Sequence, residues 1–294
     1  DVYKRQALSF SFLLIALGAG VVVGIVYSQA SDLPAAIARY TVRLDGLIEE
    51  FTEYFGEHRI TIASDVVKSV NLQAMVTGLI GSAGLIVTGF SLVVIYCIFM
   101  ISERGLFVKK LHHIFPERDD IEVVAKAIAL SIRQYVWVKT LTSLITGLLS
   151  YVVLKWVGVD FAETWALLIF FLNFIPSIGS IVATIFPVML ALLQFDTITP
   201  FVIVMLSIVT VQVVVGQFIE PALMGRSLNL SAFVIILALT FWGNIWGVHG
   251  MFLSVPITVV IMIVCSHIDG LNWIAILLSR DISETTRNSA NRTT

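Results

Sequence analysis

The chain has 294 residues, 58% of them hydrophobic and 13% charged, with a mean hydropathy of +0.96. Ordinary globular domains carry about 25% charged residues, so the composition excludes a soluble fold and points to an integral membrane protein. The net charge of −2 supplies no basic excess, and no nucleic-acid partner is expected.

The first six residues, Asp1 to Gln6, contain no initiator Met, and an apolar run begins at once over 7–27. That run is too long for the apolar core of a cleaved signal peptide, and no small-residue cleavage site follows it. The chain is therefore read as an N-terminally truncated fragment. Further runs free of Asp, Glu, Lys and Arg lie at 78–101, 164–195, 197–219 and 231–266. A span at 136–157 carries Lys139 and Lys155 near its ends, where long side chains snorkel to the interface. The 164–195 run is too long for one helix and is interrupted at Ile175–Gly179; the 231–266 run is interrupted at Gly247–Gly250. The expectation is an all-α, polytopic helical membrane protein with about eight apolar segments. Two of the runs become broken helical hairpins, and residues 1–294 form a single permease domain.

Between the first two runs, 28–77 is expected to be an external amphipathic helical loop. Leu33, Ile37, Tyr40, Leu44, Leu47, Phe51 and Tyr54 recur at alternating steps of four and three, a heptad seam. The seam packs either on the bilayer or its own chain, or on another subunit of a homo-oligomer. Residues 102–135 form a second amphipathic stretch, with Pro116 opening a helix along Ile121, Val124, Ala125, Ile128 and Ile132. Residues 281–294 form a polar tail. Placing the N-terminus, 102–135 and the tail in the cytoplasm puts 13 of the 18 basic residues inside, as the positive-inside rule asks.

No nucleophile–His–carboxylate set, glycine-rich phosphate loop or ATPase motif occurs, so no catalysis and no cofactor are expected. Cys97 and Cys265 lie in apolar runs, and His112–His113 is an adjacent pair without metal-ligand spacing. Function is sought instead where backbone is broken inside apolar runs, because hydrocarbon leaves unpaired N–H and C=O groups unsatisfied. Asn173 precedes Gly179 by six residues and Asn244 precedes Gly250 by six, so the two interruptions echo one another. Paired interruptions of this kind point to a transporter binding site. Between them, Pro221 disfavours helix at Glu220 and Gly225 offers a turn. Glu220 is either a coupling-ion or proton site, or a carboxylate capping a helix or pairing with Arg226. The candidate substrate or ion pathway is thus Asn173, Pro176, Gly179, Gln217, Glu220, Pro221, Gly225, Asn244, Gly247 and Gly250. Lys139, Gln212 and His249 are weaker candidates. Trp137, Trp156, Trp165, Trp242 and Trp246, near span ends, suit an interfacial aromatic belt.

The motifs N-F-I-P-S-I-G-S (173–180), Q-F-I-E-P-A-L-M-G-R-S-L-N-L (217–230) and W-G-N-I-W-G-V-H-G-M-F-L-S-V-P (242–256) occur in the order found in the autoinducer-2 exporter family of bacterial permeases. I-R-Q-Y-V-W-V-K-T (132–140) and G-V-D-F-A (158–162) resemble that family too. The likeness is densest from Pro116 to Pro256. Two positions depart from the family pattern, Gln217 in place of a usual Asn and Ala232 near a usual Pro. The resemblance implies a multi-pass bacterial inner-membrane protein that exports a small solute, with its C-terminus cytoplasmic. Members are associated with the quorum-sensing signal autoinducer-2, and others resemble sodium/proton antiporters. An exporter, an antiporter and a non-transporting membrane scaffold are the readings left open.

Overall fold

The computed structural model describes residues 17–18, 20–25, 27–29, 32–55, 121–224, 229–268 and 270–281. Helices α1 (Leu33–Phe55), α2 (Ile121–Val157), α3 (Ala162–Leu172) and α4 (Ile178–Gln194) are followed by α5 (Ile198–Val213). A π-helical turn, Val214–Ile219, joins α5 to α6 (Glu220–Met224), and α7 (Ala232–Ser266) and α8 (Asn272–Leu278) complete the order.

The described residues are all-α, but the expectation of about eight apolar segments is corrected. Three helices are long and apolar enough to cross a membrane: Val123–Val157, Ile198–Met224 and Ala232–Ser266. A fourth is added if the bent pair Gly20–Gln29 and Pro34–Leu47 forms one span. The reason lies in helix length. The 164–195 run was expected to supply two segments, yet α3 and α4 have 11 and 17 residues. At 1.5 Å per residue they reach about 17 and 26 Å, short of a hydrocarbon core about 30 Å thick. The 231–266 run was likewise counted twice, whereas α7 is 35 residues long and leaves helical geometry inside only at Gly247. Of the 7–27 run only pieces from residue 17 onward are described, and 78–101 lies outside the described residues. Residues 56–77, 102–120 and 282–294, with the loop and tail expectations that fall on them, lie outside as well.

Two compact units organise the chain. The first draws on residues 1–103, 153–167 and 186–205, the second on 104–152, 168–185 and 206–294. In the first unit α1 docks on its own chain. Ala36 and Tyr40 are buried, and Tyr40 donates to Asp160 at 2.7 Å. Arg39 pairs with the same carboxylate at 3.0 Å, and Arg43 donates to the Asp196 carbonyl at 3.1 Å. Gln194 secures the loop that holds Asp160: its Oε1 accepts from the Asp160 N–H, and its Nε2 donates to the Gly158 carbonyl, both at 2.7 Å. Tyr40, at the middle of the heptad seam, is therefore engaged within the same chain.

In the second unit, Tyr135, Leu230, Val234, Val255 and Val259 form a buried cluster beneath Met224, Ile263 and Leu278. The chain beyond α7 is tied to the segment before it. Ser231 N–H donates to Leu278 O at 3.1 Å, Arg280 N–H to Asn229 O at 3.0 Å, and Leu230 bridges Ser279. Packing against this cluster fixes the end of α6 relative to α2, because Gln134 Nε2 also donates to the Met224 carbonyl at 3.2 Å.

Candidate transport site

Two sharp reversals shape the second unit. Seven residues of straight helix advance about 10 Å, yet a Cβ built on Gly179 would fall inside the carbonyl oxygen of Leu172, seven residues earlier, and lie 3.0 Å from Ile175 Cβ. The turn is closed by Ile175 N–H to Leu172 O at 2.9 Å and Ile178 N–H to Pro176 O at 2.6 Å, with Ser177 at a positive φ of 60°. Gly250 repeats the arrangement against the Trp242 carbonyl, its built Cβ 3.1 Å from Trp246 Cβ. Here the reversal is made at Gly247, with φ 61° and ψ −142°, a region reserved for glycine. Both glycines allow a backbone approach that any side chain would forbid.

The third irregular point also differs from its expectation. The sequence places the end of a span at Glu220–Pro221, but the helix runs on to Met224. Proline lacks an N–H and its ring presses on the carbonyl one turn back. The π turn lies immediately ahead of it, with the Glu220 N–H donating to Val215 O five residues back, and this wider ladder carries the proline through. Such turns within α-helices recur at functional sites.

Glu220 leaves this turn facing α2. Its Oε1 lies 2.6 Å from Lys139 Nζ, and the two side chains are 18% and 6% exposed. Lys139 also donates to the Asn173 carbonyl at 3.2 Å, and Asn173 Nδ2 donates to Ser143 Oγ at 3.1 Å. One lysine thus ties the Ile198–Met224 span to the first reversal. The snorkelling expected of Lys139 does not occur, because α2 begins at Ile121 rather than near 136. Lys139 sits 18 residues from Ile121 and 18 from Val157, at the middle of the helix. A charged side chain at that depth is costly unless paired, and such residues mark transport pathways.

Of the expected site residues, the structure brings Asn173 and Glu220 together through Lys139. Phe174, beside Asn173, stacks on Phe252 of α7 with ring centroids 6.0 Å apart, so the first reversal touches the arm that follows the second. Gly179 and Gly250 are buried at the two reversals, and Pro176 is half-buried within the first. Gln217, Pro221, Asn244 and Gly247 are exposed. Asn244 Nδ2 is occupied locally, donating to Thr240 O at 2.8 Å. Gly225, with Arg226, lies outside the described residues. Sequence reasoning ranked Lys139 low and passed over Ser143. The missed signal was periodic: Tyr135, Lys139, Thr142, Ser143, Thr146 and Ser150 recur at helical spacing inside an apolar run.

Comparison with known proteins agrees with this picture of a membrane-embedded polar site. Residues 6–270 match the family described as AI-2E family transporter. A candidate transport protein of Haemophilus influenzae is 32% identical over 272 residues, covering 87% of this chain and 76% of the relative. The Escherichia coli candidate transport protein YhhT is 32% identical over 286 residues, covering 94% and 80%. The Escherichia coli AI-2 transport protein TqsA is 41% identical over 149 residues, covering 51% of this chain and 43% of TqsA. Apolar helices of this kind and bacterial relatives place the protein in the inner membrane, with the lipid bilayer and a small-molecule substrate as its partners. The chain belongs to the AI-2E transporter family and is a membrane transporter of a small solute rather than an enzyme.

Proposed function

We propose that the protein exports a small solute by secondary transport along a pathway that includes Glu220, Lys139 and Asn173. The observation that carries this reading is the 2.6 Å ion pair held at the middle of α2. A buried carboxylate must keep a counter-charge or take up a proton. Any cation or proton that reaches Glu220 competes with Lys139, and displacing Lys139 also frees the carbonyl of the first reversal. Ion occupancy and the position of the broken segment are coupled by that shared ammonium. Gly179, Pro176, Gly247 and Gly250 supply the close backbone packing, and Gln217, Pro221, Gly225 and Asn244 complete the proposed pathway. An autoinducer-2-type signal is the proposed substrate, by likeness to TqsA.

A sodium/proton antiporter is the second reading. It is favoured by the same pair, since a carboxylate with an internal competing cation can exchange one ion for another. We place the C-terminus in the cytoplasm. With Lys139 removed from the tally as a buried residue, the basic residues still favour that side by 12 to five. Self-association through α1 has weaker support, because Tyr40 is engaged by Asp160 of the same chain.

The test is solute and pH-gradient flux in proteoliposomes made with a version of the protein extended at the N-terminus to the length of its relatives. Glu220→Gln keeps shape and removes charge, so it should assemble normally and lose gradient-driven flux. Wild-type flux with an unchanged pH dependence would remove Glu220 from the pathway.

A further inference from the structure

α2 is built inside out. Tyr135, Lys139, Thr142, Ser143, Thr146 and Ser150 share one face, and none exceeds 5% exposure. The positions between them that point away are apolar: Leu144, Leu148, Leu149 and Val152 are 45–61% exposed. Polar side chains in a membrane span face either a bundle interior or a wet cavity. Thr142 and Thr146 donate to carbonyls one turn back, at 3.0 and 2.8 Å, which leaves their oxygens free to accept. Tyr135 Oη and Ser150 Oγ are buried and have no partner among the described residues.

The facing helix contributes a third such atom, Gln212 Nε2, also buried and without a partner among the described residues. Its level follows from register. Gln134 reaches Met224 while Lys139 reaches Glu220, so α2 and residues 206–224 run antiparallel. Eight residues back from Glu220 is about 12 Å, and the same climb along α2 from Lys139 ends between Thr146 and Ser150. Gln212 and Ser150 therefore lie on one side of the ion pair and Tyr135 on the other. Buried polar groups are normally satisfied by protein or by ordered water.

We propose that the seam between α2 and residues 206–224 holds a file of hydrogen-bonded water molecules from Tyr135 to Ser150, crossed at its middle by the Lys139–Glu220 pair. The pair then plugs an aqueous path through the span, and protons reach Glu220 along it. This rests on the proposed pathway only for its purpose, since the presence of the waters is measured without transport.

The experiment places single cysteines at Thr146, Ser150 and Leu148 in a background with Cys97 and Cys265 replaced by alanine. The proteoliposomes are treated on both sides with a cationic, membrane-impermeant methanethiosulfonate. Thiolate forms in water and not in hydrocarbon, so Thr146→Cys and Ser150→Cys should react about tenfold or more faster than Leu148→Cys. Equal, slow reaction at all three positions overturns the proposal. Should a cysteine variant fail to fold, thermal unfolding of Tyr135→Phe and Ser150→Ala decides. A dry seam is relieved by losing an unpaired hydroxyl and Tm rises, which overturns the proposal; an unchanged or lower Tm supports it. Loss of labelling with flux intact removes the water file alone, whereas labelling without flux leaves the file and removes the transport pathway.

Discussion

α2 carries two lysines that each lie 2.6 Å from a glutamate, Lys139 with Glu220 and Lys155 with Glu163. The distance is shared and the surroundings are not. The side chains of the first pair are 6% and 18% exposed, those of the second 61% and 30%. Attraction between charges scales inversely with the local dielectric, and so does the cost of leaving either one alone. The outer pair has water to fall back on, and Glu163 also accepts from Gln29 Nε2 at 2.7 Å. The inner pair has the Asn173 carbonyl as the further acceptor of Lys139. The lesson is that an ion pair's distance says little about its role, and depth in the span says most of it.

The largest effect should come from breaking the inner pair on one side only. Lys139→Met leaves an unpaired buried carboxylate, and denaturant unfolding in detergent should show a loss of about 3–5 kcal/mol. Lys139→Met combined with Glu220→Gln should recover most of that loss. Equal destabilisation by the single and double variants would show that the pair behaves like the outer one.

A smaller effect separates the two reversals, which share a glycine device but not a hydrogen-bond network. Asn173 is buried and donates to Ser143, whereas Asn244 is exposed and bonded only to the backbone of its own helix. Asn173→Ala leaves Ser143 and the turn short of a buried partner and should cost about 1–3 kcal/mol. Asn244→Ala should stay within about 0.5 kcal/mol. Similar losses at both positions would mean that the second reversal is wired into a site as firmly as the first.

The smallest effect belongs to the outer pair. The Lys155 hydrogen bond, then the backbone bond at Glu163 itself, hold the Glu163 carboxyl below its ordinary value, against an opposing push from burial. A depressed carboxylate contributes stability that is present above the unfolded glutamate value, about 4.3, and is lost as pH falls through the folded one. Solvent screening limits the pair to about 0–1 kcal/mol. Unfolding midpoints followed from pH 7 downward should therefore decline slightly more in the wild type than in Glu163→Gln. A steeper decline in the variant would reverse the assignment.

Much of the architecture could be read from composition. The helical class, the reversals at Ile175–Gly179 and Gly247–Gly250, and the pairing of Asn173 with Glu220 in one site all followed from where prolines, glycines and a carboxylate interrupt apolar runs. The number of crossings did not. A charge-free run reports that lipid or protein surrounds it, whereas crossing needs an unbroken length that α3 and α4 lack. Lys139 was misplaced for a related reason. Hydropathy starts a span where the charges stop, near Val136, but the backbone ladder of α2 begins at Ile121 and carries the lysine to mid-helix. Partners across the seam depend on register between distant segments, which one chain's pattern does not encode.

The π turn sets how this span tolerates changes of length. Each residue rotates an α-helix by about 100°, so the added residue within Val214–Ile219 fixes the phase of everything that follows. Deleting one residue there would swing the Glu220 carboxylate off the α2 seam towards the side now held by Gln217 and Phe218, both exposed. Substitutions in this stretch exchange one surface side chain for another, while an insertion or deletion misdirects the charge without altering any residue that contacts it. Among relatives of this transporter, the spacing to the glutamate is therefore under tighter constraint than the letters that fill it.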